Sequence, residues 1–262
     1  MSLSQHEILV SIVSHGHGKH VETLLNDLAL PGNHEFVSVV LRLNKPESTD
    51  AFDRNWPFPL ELLCNEREQG FSDNHNLTFY QFGEAGNPKF FCVLNPDIRL
   101  QAGTMAALLA CCERKPGAAL IAPQVRAPDG RVEANVRRLP APGEILRKGV
   151  MRFFGQGLRE ECSDTWDWFA GMFMLFDVKA FRSIGGFDER YFLYYEDVDI
   201  CCRLRLAGLD LYYCPAVMVV HDARRGSHQN VGLFLRHLSS VVRFFSSSVY
   251  RECRSLGRVQ AG

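Results

Sequence analysis

Short, almost wholly apolar runs alternate along the first half of the chain with stretches in which apolar residues recur every three or four positions. The short runs predict strands buried on both faces. They are Ile8 to Val13, Phe36 to Leu43, Leu60 to Cys64 and Phe90 to Leu94. The stretches between them predict helices over Val21 to Leu28 and Ser72 to Phe82. Strand, helix and strand in this order predict parallel pairs joined by right-handed crossovers.

The second half is less regular. Thr104 to Arg114 predicts a helix and Leu120 to Pro123 the edge of a strand, and prolines and glycines from 126 to 164 predict long loops with short helices. The pattern then predicts three further elements. They are a strand-like run over Trp166 to Asp177, a helix over Phe192 to Ala207 and a strand over Leu211 to His221. Together these elements indicate an α/β fold that binds its ligand at the carboxyl ends of the strands.

The last segment, residues 231–250, has the apolar stripe of an amphipathic helix. Packing on its own domain is the favoured interpretation, and peripheral contact with a bilayer stays open as the alternative. No uninterrupted apolar run approaches the roughly 20 residues needed to span a membrane.

Composition narrows the possible functions. With 29 Lys and Arg against 30 Asp and Glu, no overall field attracts nucleic acid, so we expect no nucleic-acid partner. The nine cysteines lack the Cys-x-x-Cys spacing of a zinc site, and the N-terminus lacks a basic secretory region. We therefore interpret the cysteines as reduced and mostly buried, and the compartment as cytoplasmic.

Three carboxylates lie together in Glu196, Asp197 and Asp199, at the start of a predicted helix. Acidic residues in a first helical turn commonly offset the helix dipole, which is the purely structural interpretation. Here aromatic neighbours such as Tyr194 and Tyr195 would surround them with low-dielectric surface. That setting raises a carboxylate pKa and suits a general base.

Asp97 and His221 each follow or end a predicted buried strand. A lone Asp in a turn is most often an Asx-turn residue, and a lone strand-end His is most often structural. At the carboxyl edge of a sheet, however, both can be ligands of Mn²⁺, and the carboxylate can also bind Mg²⁺.

Several motifs in succession carry a resemblance to a known family. The motifs are Phe-Ala-Gly-Met-Phe-Met at 169–174, Ile-Gly-Gly-Phe-Asp-Glu at 184–189 and Tyr-Glu-Asp-Val-Asp-Ile at 195–200, followed by Arg203, Tyr213, Pro215 and His221. Their order resembles the C-terminal half of the inverting family 2 glycosyltransferases, and most of all the rhamnosyltransferase-like enzymes of bacterial polysaccharide assembly. The resemblance extends from about Ile8 to Ser248.

The resemblance implies a GT-A fold, in which an open, mixed and mainly parallel sheet is flanked by helices, with a helical C-terminal segment here. We expect one domain over 1–262. Residues 8–125 would form its nucleotide-sugar-binding half, 126–230 its acceptor and catalytic half, and 231–250 a C-terminal amphipathic helix.

The family's catalytic roles map onto individual positions. Asp197 corresponds to the base that removes the acceptor hydroxyl proton, and Glu196 would orient it or contact the acceptor. Asp97 corresponds to the second, metal-binding Asp of an Asp-x-Asp motif, and Asn95 replaces the first Asp of that motif. His221 corresponds to a position that binds the metal in some relatives. The cofactor would be Mn²⁺ or Mg²⁺. Acceptor-side loop residues are Gly171, Trp168 and Tyr195.

Donor-side roles map onto the strand-end loops. Ser14 and His15 would contact the base and ribose, and Asn44 follows Leu43, which replaces the family's nucleobase-binding Asp. The stretch beside the nucleotide and diphosphate is matched by Arg67, Gly70, Phe71, Asn74 and Asn76. Arg224 and Arg225 could neutralise the diphosphate. A solvated loop charge is the competing interpretation for each of the three arginines.

The predicted function is transfer of a sugar to a saccharide or a lipid-linked saccharide in cell-surface polysaccharide synthesis. The donor implied is dTDP-rhamnose, with another dTDP- or UDP-sugar as the alternative. A catalytically silent nucleotide- or carbohydrate-binding module is the second hypothesis, because Leu43 and Asn95 both replace carboxylates. The sequence leaves open a homo-oligomer and a peripheral location at the inner face of the membrane.

Overall fold

A computed structural model describes residues 6–83, 87–143, 165–222, 231–256 and 259–260. Eight strands form the main sheet: β1 (Ile8–Ser14), β2 (Val37–Leu43), β3 (Leu60–Cys64), β4 (Phe90–Leu94), β5 (Ile98–Arg99), β6 (Ala118–Arg126), β10 (Phe173–Asp177) and β11 (Asp210–His221). Four short strands pair outside it: β7 (Val136–Arg137), β8 (Thr165–Trp166), β9 (Trp168–Phe169) and β12 (Val259–Gln260).

Seven α-helices accompany these strands in the described ranges. They are α1 (Gly18–Leu28), α2 (Phe71–Phe82), α3 (Thr104–Arg114), α4 (Val178–Ser183), α5 (Glu196–Leu206), α6 (Val231–Ser246) and α7 (Ser248–Cys253). None of these helices is long and apolar enough to cross a membrane.

The strand order is β3-β2-β1-β4-β10-β6-β11-β5. Strands β1 to β4 run parallel, whereas β10 lies antiparallel between β4 and β6. The sheet is therefore mixed and mainly parallel, which confirms the predicted fold class. The antiparallel strand matters for the site, because it begins beside the carboxyl end of β4, where Phe173 pairs with Leu94.

Helices cover both faces of the sheet, and alternate strand residues feed two buried layers. Leu9 and Val40 pack in one layer with Phe79 of α2, whereas Val10 packs in the other with Leu24 of α1. Strands buried on both faces explain why the sequence runs are continuously apolar rather than alternating.

The helix predicted over 192–207 begins four residues later than expected, at Glu196. Tyr194 and Tyr195 both have φ of 71°, a left-handed conformation that cannot continue a right-handed helix. The carboxylates therefore lie at the start of the helix, as expected, but the aromatic residues before them form a turn.

The predicted helix over 231–250 is interrupted. Helix α6 ends at Ser246, and α7 begins at Ser248. Ser247 separates the two because its side chain accepts a hydrogen bond from the Tyr250 amide at 3.0 Å, which caps the second helix. The strand-like run over 166–177 likewise divides into β9 and β10, with Gly171 in the turn between them.

The expectation that every cysteine is reduced is wrong for Cys111 and Cys214, which form a disulfide. They lie 103 residues apart and meet because α3 packs against β11, a pairing that sequence spacing does not reveal. Five of the free cysteines in the described ranges are buried and Cys64 is exposed; Cys162 lies outside those ranges.

Candidate active site

Asp197 occupies the first turn of α5 with both carboxylate oxygens bound to backbone amides. Oδ2 accepts a hydrogen bond from Gly171 N at 2.9 Å, and Oδ1 accepts one from Val198 N at 2.8 Å. Burial raises the pKa of Asp197, and the two amides together with the charge of Arg137 oppose the rise. A fixed carboxylate with a raised pKa has the geometry and basicity of a general base.

Glu196 precedes it and is only 5% exposed. Burial, followed by the neighbouring charge of Asp197, raises the pKa of Glu196 well above its usual range. Its Oε2 has no hydrogen-bond partner among the described residues. Two adjacent carboxyls do not both ionise readily, and the pKa of Glu196, raised by burial and by the charge of Asp197, makes Glu196 the less readily ionised of the two.

The turn before α5 stores backbone strain beside this pair. Consecutive left-handed tyrosines, Tyr194 and Tyr195, cost about 1–3 kcal/mol each. Such strain persists where surrounding contacts enforce it, and Asp199 N helps to do so by donating to Tyr195 O at 2.9 Å. Strained turns concentrate at functional sites, which supports a role for the residues that immediately follow.

A second group lies where β5 pairs with the end of β11. The register sets His221 opposite Ile98, beside Asp97, and His221 Nε2 lies 3.3 Å from Asp97 Oδ2. On the other side of the ring, His221 Nδ1 lies 2.8 Å from Glu133 Oε2. The imidazole therefore lies between two carboxylates.

Electrostatics in this second group favour charge on His221 and on Asp97. Burial alone would lower the pKa of His221, but hydrogen bonds and charges from Asp97 and Glu133 raise it to about 9. Burial opposes ionisation of Asp97, yet the hydrogen bond and charge of His221 hold its pKa below the usual value. Asp97 is thus ionised.

The fit of a metal to these residues can be judged from their free atoms. Asp97 Oδ1 is buried without a hydrogen-bond partner among the described residues, and an unpaired carboxylate oxygen is a ligand that hard cations prefer. The described ranges contain no group of three or more His, Cys, Asp or Glu side chains gathered as a metal cage. Mg²⁺ commonly takes one or two protein carboxylates together with substrate phosphates, and Asp97 fits such a ligand.

The turn before β10 connects the two groups. Asn95 N, just after β4, donates to Met172 O at 3.0 Å, and Gly171 next to Met172 holds Asp197. A Cβ built on Gly171 would lie 3.4 Å from Asp197 Cβ and 3.5 Å from Phe71 Cζ. Gly171 thus lies between the predicted base and the predicted donor loop.

An asparagine network shapes the donor loop over 65–70. Asn44 donates to Gln69 O at 2.8 Å, and its Oδ1 accepts from Gln69 N at 2.9 Å and from Asn65 Nδ2 at 2.7 Å. Asn65 also donates to Asn74 Oδ1 at 2.7 Å. The amides of Asn44 and Asn74 are nearly fully buried, so in this structure they hold the loop and do not face solvent.

Gly70 joins that loop to the turn before α5. A Cβ there would lie 2.8 Å from Phe192 O and 2.9 Å from Phe192 Cα, closer than real Cβ contacts. The close approach lets Phe71 N donate to Phe192 O at 2.7 Å. Only glycine at position 70 lets the predicted donor loop contact the turn over residues 192–195. We term this segment the catalytic turn, because it leads into the predicted base, Asp197.

The remaining donor-side residues differ in exposure. Ser14 is fully buried, and its Oγ accepts from His17 N at 3.1 Å. His15 is partly exposed, and its ring lies 3.1 Å from the Asn44 amide. Arg67 is exposed on the loop. Asn76 is buried and bonds to Phe187 and Glu189, so it serves packing in this structure.

The predicted acceptor-side residues also differ in their burial and contacts. Tyr195 is partly buried and packs against Phe244 of α6 at 5.4 Å between ring centroids. Trp168 is 8% exposed and donates to Arg138 O at 2.9 Å. Its ring lies 5.2 Å from the Arg137 guanidinium. Arg224 and Arg225 lie outside the described residues.

Two residues of the site have no motif in the sequence. Glu133 and Arg137 both belong to the irregular stretch after β6, where the pattern predicts only loops. Glu133 reaches His221 after a tight turn closed by the Arg126–Val132 bridge, and Arg137 reaches Asp197 electrostatically through the pairing of β7 with β9. Only the pairing of distant strands reveals them.

Comparisons with known proteins agree with this arrangement. The model for the N-terminal domain of galactosyltransferase matches residues 158–226. An N-acetylglucosaminyl-diphospho-decaprenol L-rhamnosyltransferase of Mycobacterium tuberculosis is 34% identical over 236 residues, which cover 81% of this chain and 75% of that protein. The rhamnosyltransferase WbbL of Escherichia coli is 27% identical over 97% of this chain and 98% of its own length.

Among solved structures, a mannosyltransferase from Pyrobaculum calidifontis in complex with GDP-mannose and Mn²⁺ matches with a TM-score of 0.62 at 15% identity. The match covers 92% of this chain but 65% of that one, just under two thirds of its length. The likeness shows the GT-A fold, and with the sequence relatives it makes this protein a glycosyltransferase.

Within that class, the chain belongs to the rhamnosyltransferase-like group of the family 2 glycosyltransferases. The predicted family, fold and enzyme class are therefore confirmed.

Proposed function

We propose that this glycosyltransferase moves L-rhamnose from dTDP-rhamnose to a lipid-linked saccharide, with inversion at the anomeric carbon and Asp197 as the base. The observation that carries the base assignment is the carboxylate of Asp197, held by Gly171 N and Val198 N beside Glu196, whose pKa is raised by burial and by the charge of Asp197. Rhamnose and a lipid-linked acceptor are supported by what the names of the relatives state of those proteins.

In this mechanism Asp197 takes the proton from the acceptor hydroxyl. The hydroxyl oxygen forms a bond to the anomeric carbon as the bond to the diphosphate oxygen breaks, and the electron pair leaves with the diphosphate. Displacement of this kind places nucleophile and leaving group on opposite sides of the carbon, so the configuration inverts. General-base catalysis contributes typically 10²- to 10⁴-fold to the rate.

Asp97 would hold a divalent cation, Mn²⁺ or Mg²⁺. His221, whose pKa is raised to about 9 by Asp97 and Glu133, would join as a ligand only after Nε2 gives up its proton. When bound, the cation supplies positive charge that stabilises the departing diphosphate. Glu133 accepts from His221 Nδ1, which fixes the ring with Nε2 directed toward Asp97. Carboxylates commonly orient metal-binding histidines in this way.

The nucleotide half of the site is proposed on the donor loop. The partly exposed His15 and the exposed Arg67 would contact the donor there, and Phe71 lies beside Gly171 on the path toward Asp197. Asn44, Gly70 and Asn74 act through the loop, which they hold in place. A lipid-linked acceptor would be used at a membrane surface, so the proposal includes a peripheral location at the membrane.

The test combines binding with transfer. Thermal unfolding is measured with dTDP, UDP and GDP, each with and without Mn²⁺, and transfer is measured from dTDP-rhamnose to a polyprenyl-diphosphate-linked sugar. We expect the largest rise in melting temperature with dTDP plus Mn²⁺, and a product with the anomeric configuration opposite to that of the donor. A retained configuration, or a clear preference for another nucleotide, would overturn the corresponding part of the proposal.

A catalytically silent binding module is the second candidate. It is favoured by Leu43, which is buried at the end of β2 where the family has an Asp, and by Asn95 in place of a carboxylate. Stabilisation by nucleotide and Mn²⁺ with no transfer and no donor hydrolysis across acceptors would support this candidate and reject the enzyme.

A further inference from the structure

Helix α6 presents two apolar faces. One is buried in the protein, where Phe244 is fully buried and packs against Tyr195 and Tyr250. The other is exposed: Leu235, Leu238 and Val242 have exposures of 59%, 48% and 59%. These three residues, which we term the outer stripe, follow the i, i+3, i+7 spacing of one helix face. In the sequence pattern alone, the apolar residues of both faces form a single stripe.

Basic residues accompany the outer stripe. Helix α6 contains Arg236 and Arg243 and no Asp or Glu. Leu235, Leu238 and Val242 line a groove of about 650 Å³ together with Arg243 and Arg190. Arg190 pairs with Asp188 at 2.6 Å, so the net positive charge comes from α6 itself. Arg243 borders the outer stripe in this groove, whereas Arg236 packs against Phe192. Exposed apolar residues beside a basic residue, on a helix without acidic residues, complement an anionic bilayer, into which such a helix inserts its apolar face.

The same helix contacts the catalytic turn directly. Ser240 Oγ donates to Leu193 O at 2.9 Å, and the His237 ring lies 4.9 Å from that of Tyr194. The Arg236 guanidinium lies 3.5 Å from the centre of the Phe192 ring. Helix α6 alone therefore separates a surface that binds the outer stripe from the catalytic turn.

We propose that the outer stripe of α6 docks the enzyme on an anionic lipid bilayer. The docked orientation sets the catalytic turn near the membrane surface, where a lipid-linked acceptor is presented. That consequence rests on the proposed function, whereas docking itself does not. A second copy of the chain fits this face less well, because a two-fold contact would bring the like-charged arginines of α6 together.

Vesicle flotation of the full chain tests the proposal. Vesicles of phosphatidylcholine alone are compared with vesicles that also contain phosphatidylglycerol, for the wild type and a triple variant, L235S/L238S/V242S. We expect the wild type to float with the anionic vesicles, and the triple variant to partition on the order of 100-fold less because about half of each of three apolar side chains no longer inserts. Arg243→Gln should reduce binding about fivefold.

A matched control replaces exposed apolar residues elsewhere, Leu30→Ser and Met218→Ser, which are 37% and 43% exposed. It should float like the wild type, and all variants should keep the wild-type melting temperature. Failure of the wild type to bind anionic vesicles, or equal binding by the folded triple variant, would overturn the proposal. So would a wild-type dimer that the triple variant lacks, since that result assigns the face to a second copy. Transfer to a water-soluble acceptor is unchanged in the triple variant, which separates docking from the proposed chemistry.

Discussion

The two carboxylate groups of the site differ in what surrounds them. At the start of α5, Glu196 and Asp197 are neighbours of like charge in an aromatic setting, and both pKa values are raised. At the end of β11, His221 lies between Asp97 and Glu133, and the pKa of Asp97 is lowered. Both groups are largely buried, so desolvation alone does not distinguish them.

The balance between burial and the surrounding charges and hydrogen bonds makes the difference. At Asp197, burial outweighs the two backbone amides and the charge of Arg137, so the carboxyl becomes more basic. At Asp97, burial is outweighed by the hydrogen bond and charge of His221, so the carboxyl stays ionised. In the proposed function the first carboxylate accepts a proton and the second binds a metal, and each role can be altered separately.

Asp97→Asn should have the largest effect on the cation group. The variant loses the ionised ligand oxygen, so we expect Mn²⁺ affinity to fall by at least the about 10- to 100-fold typical of losing an outer-shell partner. Electron paramagnetic resonance of free Mn²⁺ measures this without any assay of activity. Glu113→Gln on α3 is a matched control for removal of a negative charge. Unchanged Mn²⁺ binding by Asp97→Asn would remove Asp97 from the metal site.

Glu133→Gln should have a smaller effect on the same titration. Gln keeps the shape but weakens the hold on His221 Nδ1, so we expect about 10-fold weaker Mn²⁺ binding. The Glu133→Ala variant should bind Mn²⁺ more weakly still. If Glu133→Gln binds Mn²⁺ as the wild type does while Asp97→Asn does not, Glu133 has no orienting role although the metal site stands.

Gly70→Ala and Gly171→Ala test which of the two positions requires glycine because a side chain would not fit. At position 70 the added Cβ meets Phe192 backbone atoms at 2.8–2.9 Å, and we expect a loss of about 1–3 kcal/mol in the free energy of unfolding. At position 171 the nearest contacts are 3.4 and 3.5 Å, which is ordinary packing, so stability should stay within about 0.5 kcal/mol. Urea unfolding of the two variants measures both; equal losses would contradict the close approach at Gly70.

Glu196→Gln should have the smallest effect on the shape of the site, because Gln resembles the protonated carboxyl. The folded-state pKa of Glu196 is raised, so its contribution to stability is present below the unfolded pKa and is lost as pH rises through the folded value. The variant removes that loss. Its melting temperature should therefore decline less than the wild type's from about pH 4.5 upward. Parallel curves for the two proteins would show that Glu196 is not perturbed.

Much of the fold could be predicted because buried strands have a strong sequence signal. The strands Leu60–Cys64 and Phe90–Leu94 and the helix Thr104–Arg114 have the predicted bounds. The failures have local causes. Nothing in the sequence indicates that Tyr194 and Tyr195 adopt left-handed conformations, which delay α5, and Ser247 divides what the apolar spacing presents as one helix.

The candidate site was predictable where one segment carries the chemistry. Asp197 and Asp97 each belong to a local motif, and β5 pairing with β11 brings His221 to Asp97 as expected. Glu133 and Arg137 could not be predicted, since their roles depend on strand pairs that are distant in sequence. The Cys111–Cys214 disulfide was missed for the same reason.

Transfer and binding by Asp197→Asn, measured on one preparation, test the central claim most directly. The amide should keep the hydrogen bond from Gly171 N through its oxygen but cannot take up the acceptor proton. We expect transfer from dTDP-rhamnose to fall by on the order of 10²-fold or more, while binding of dTDP and Mn²⁺ stays at the wild-type level. Transfer at the wild-type rate by this variant would contradict the assignment of Asp197 as the base.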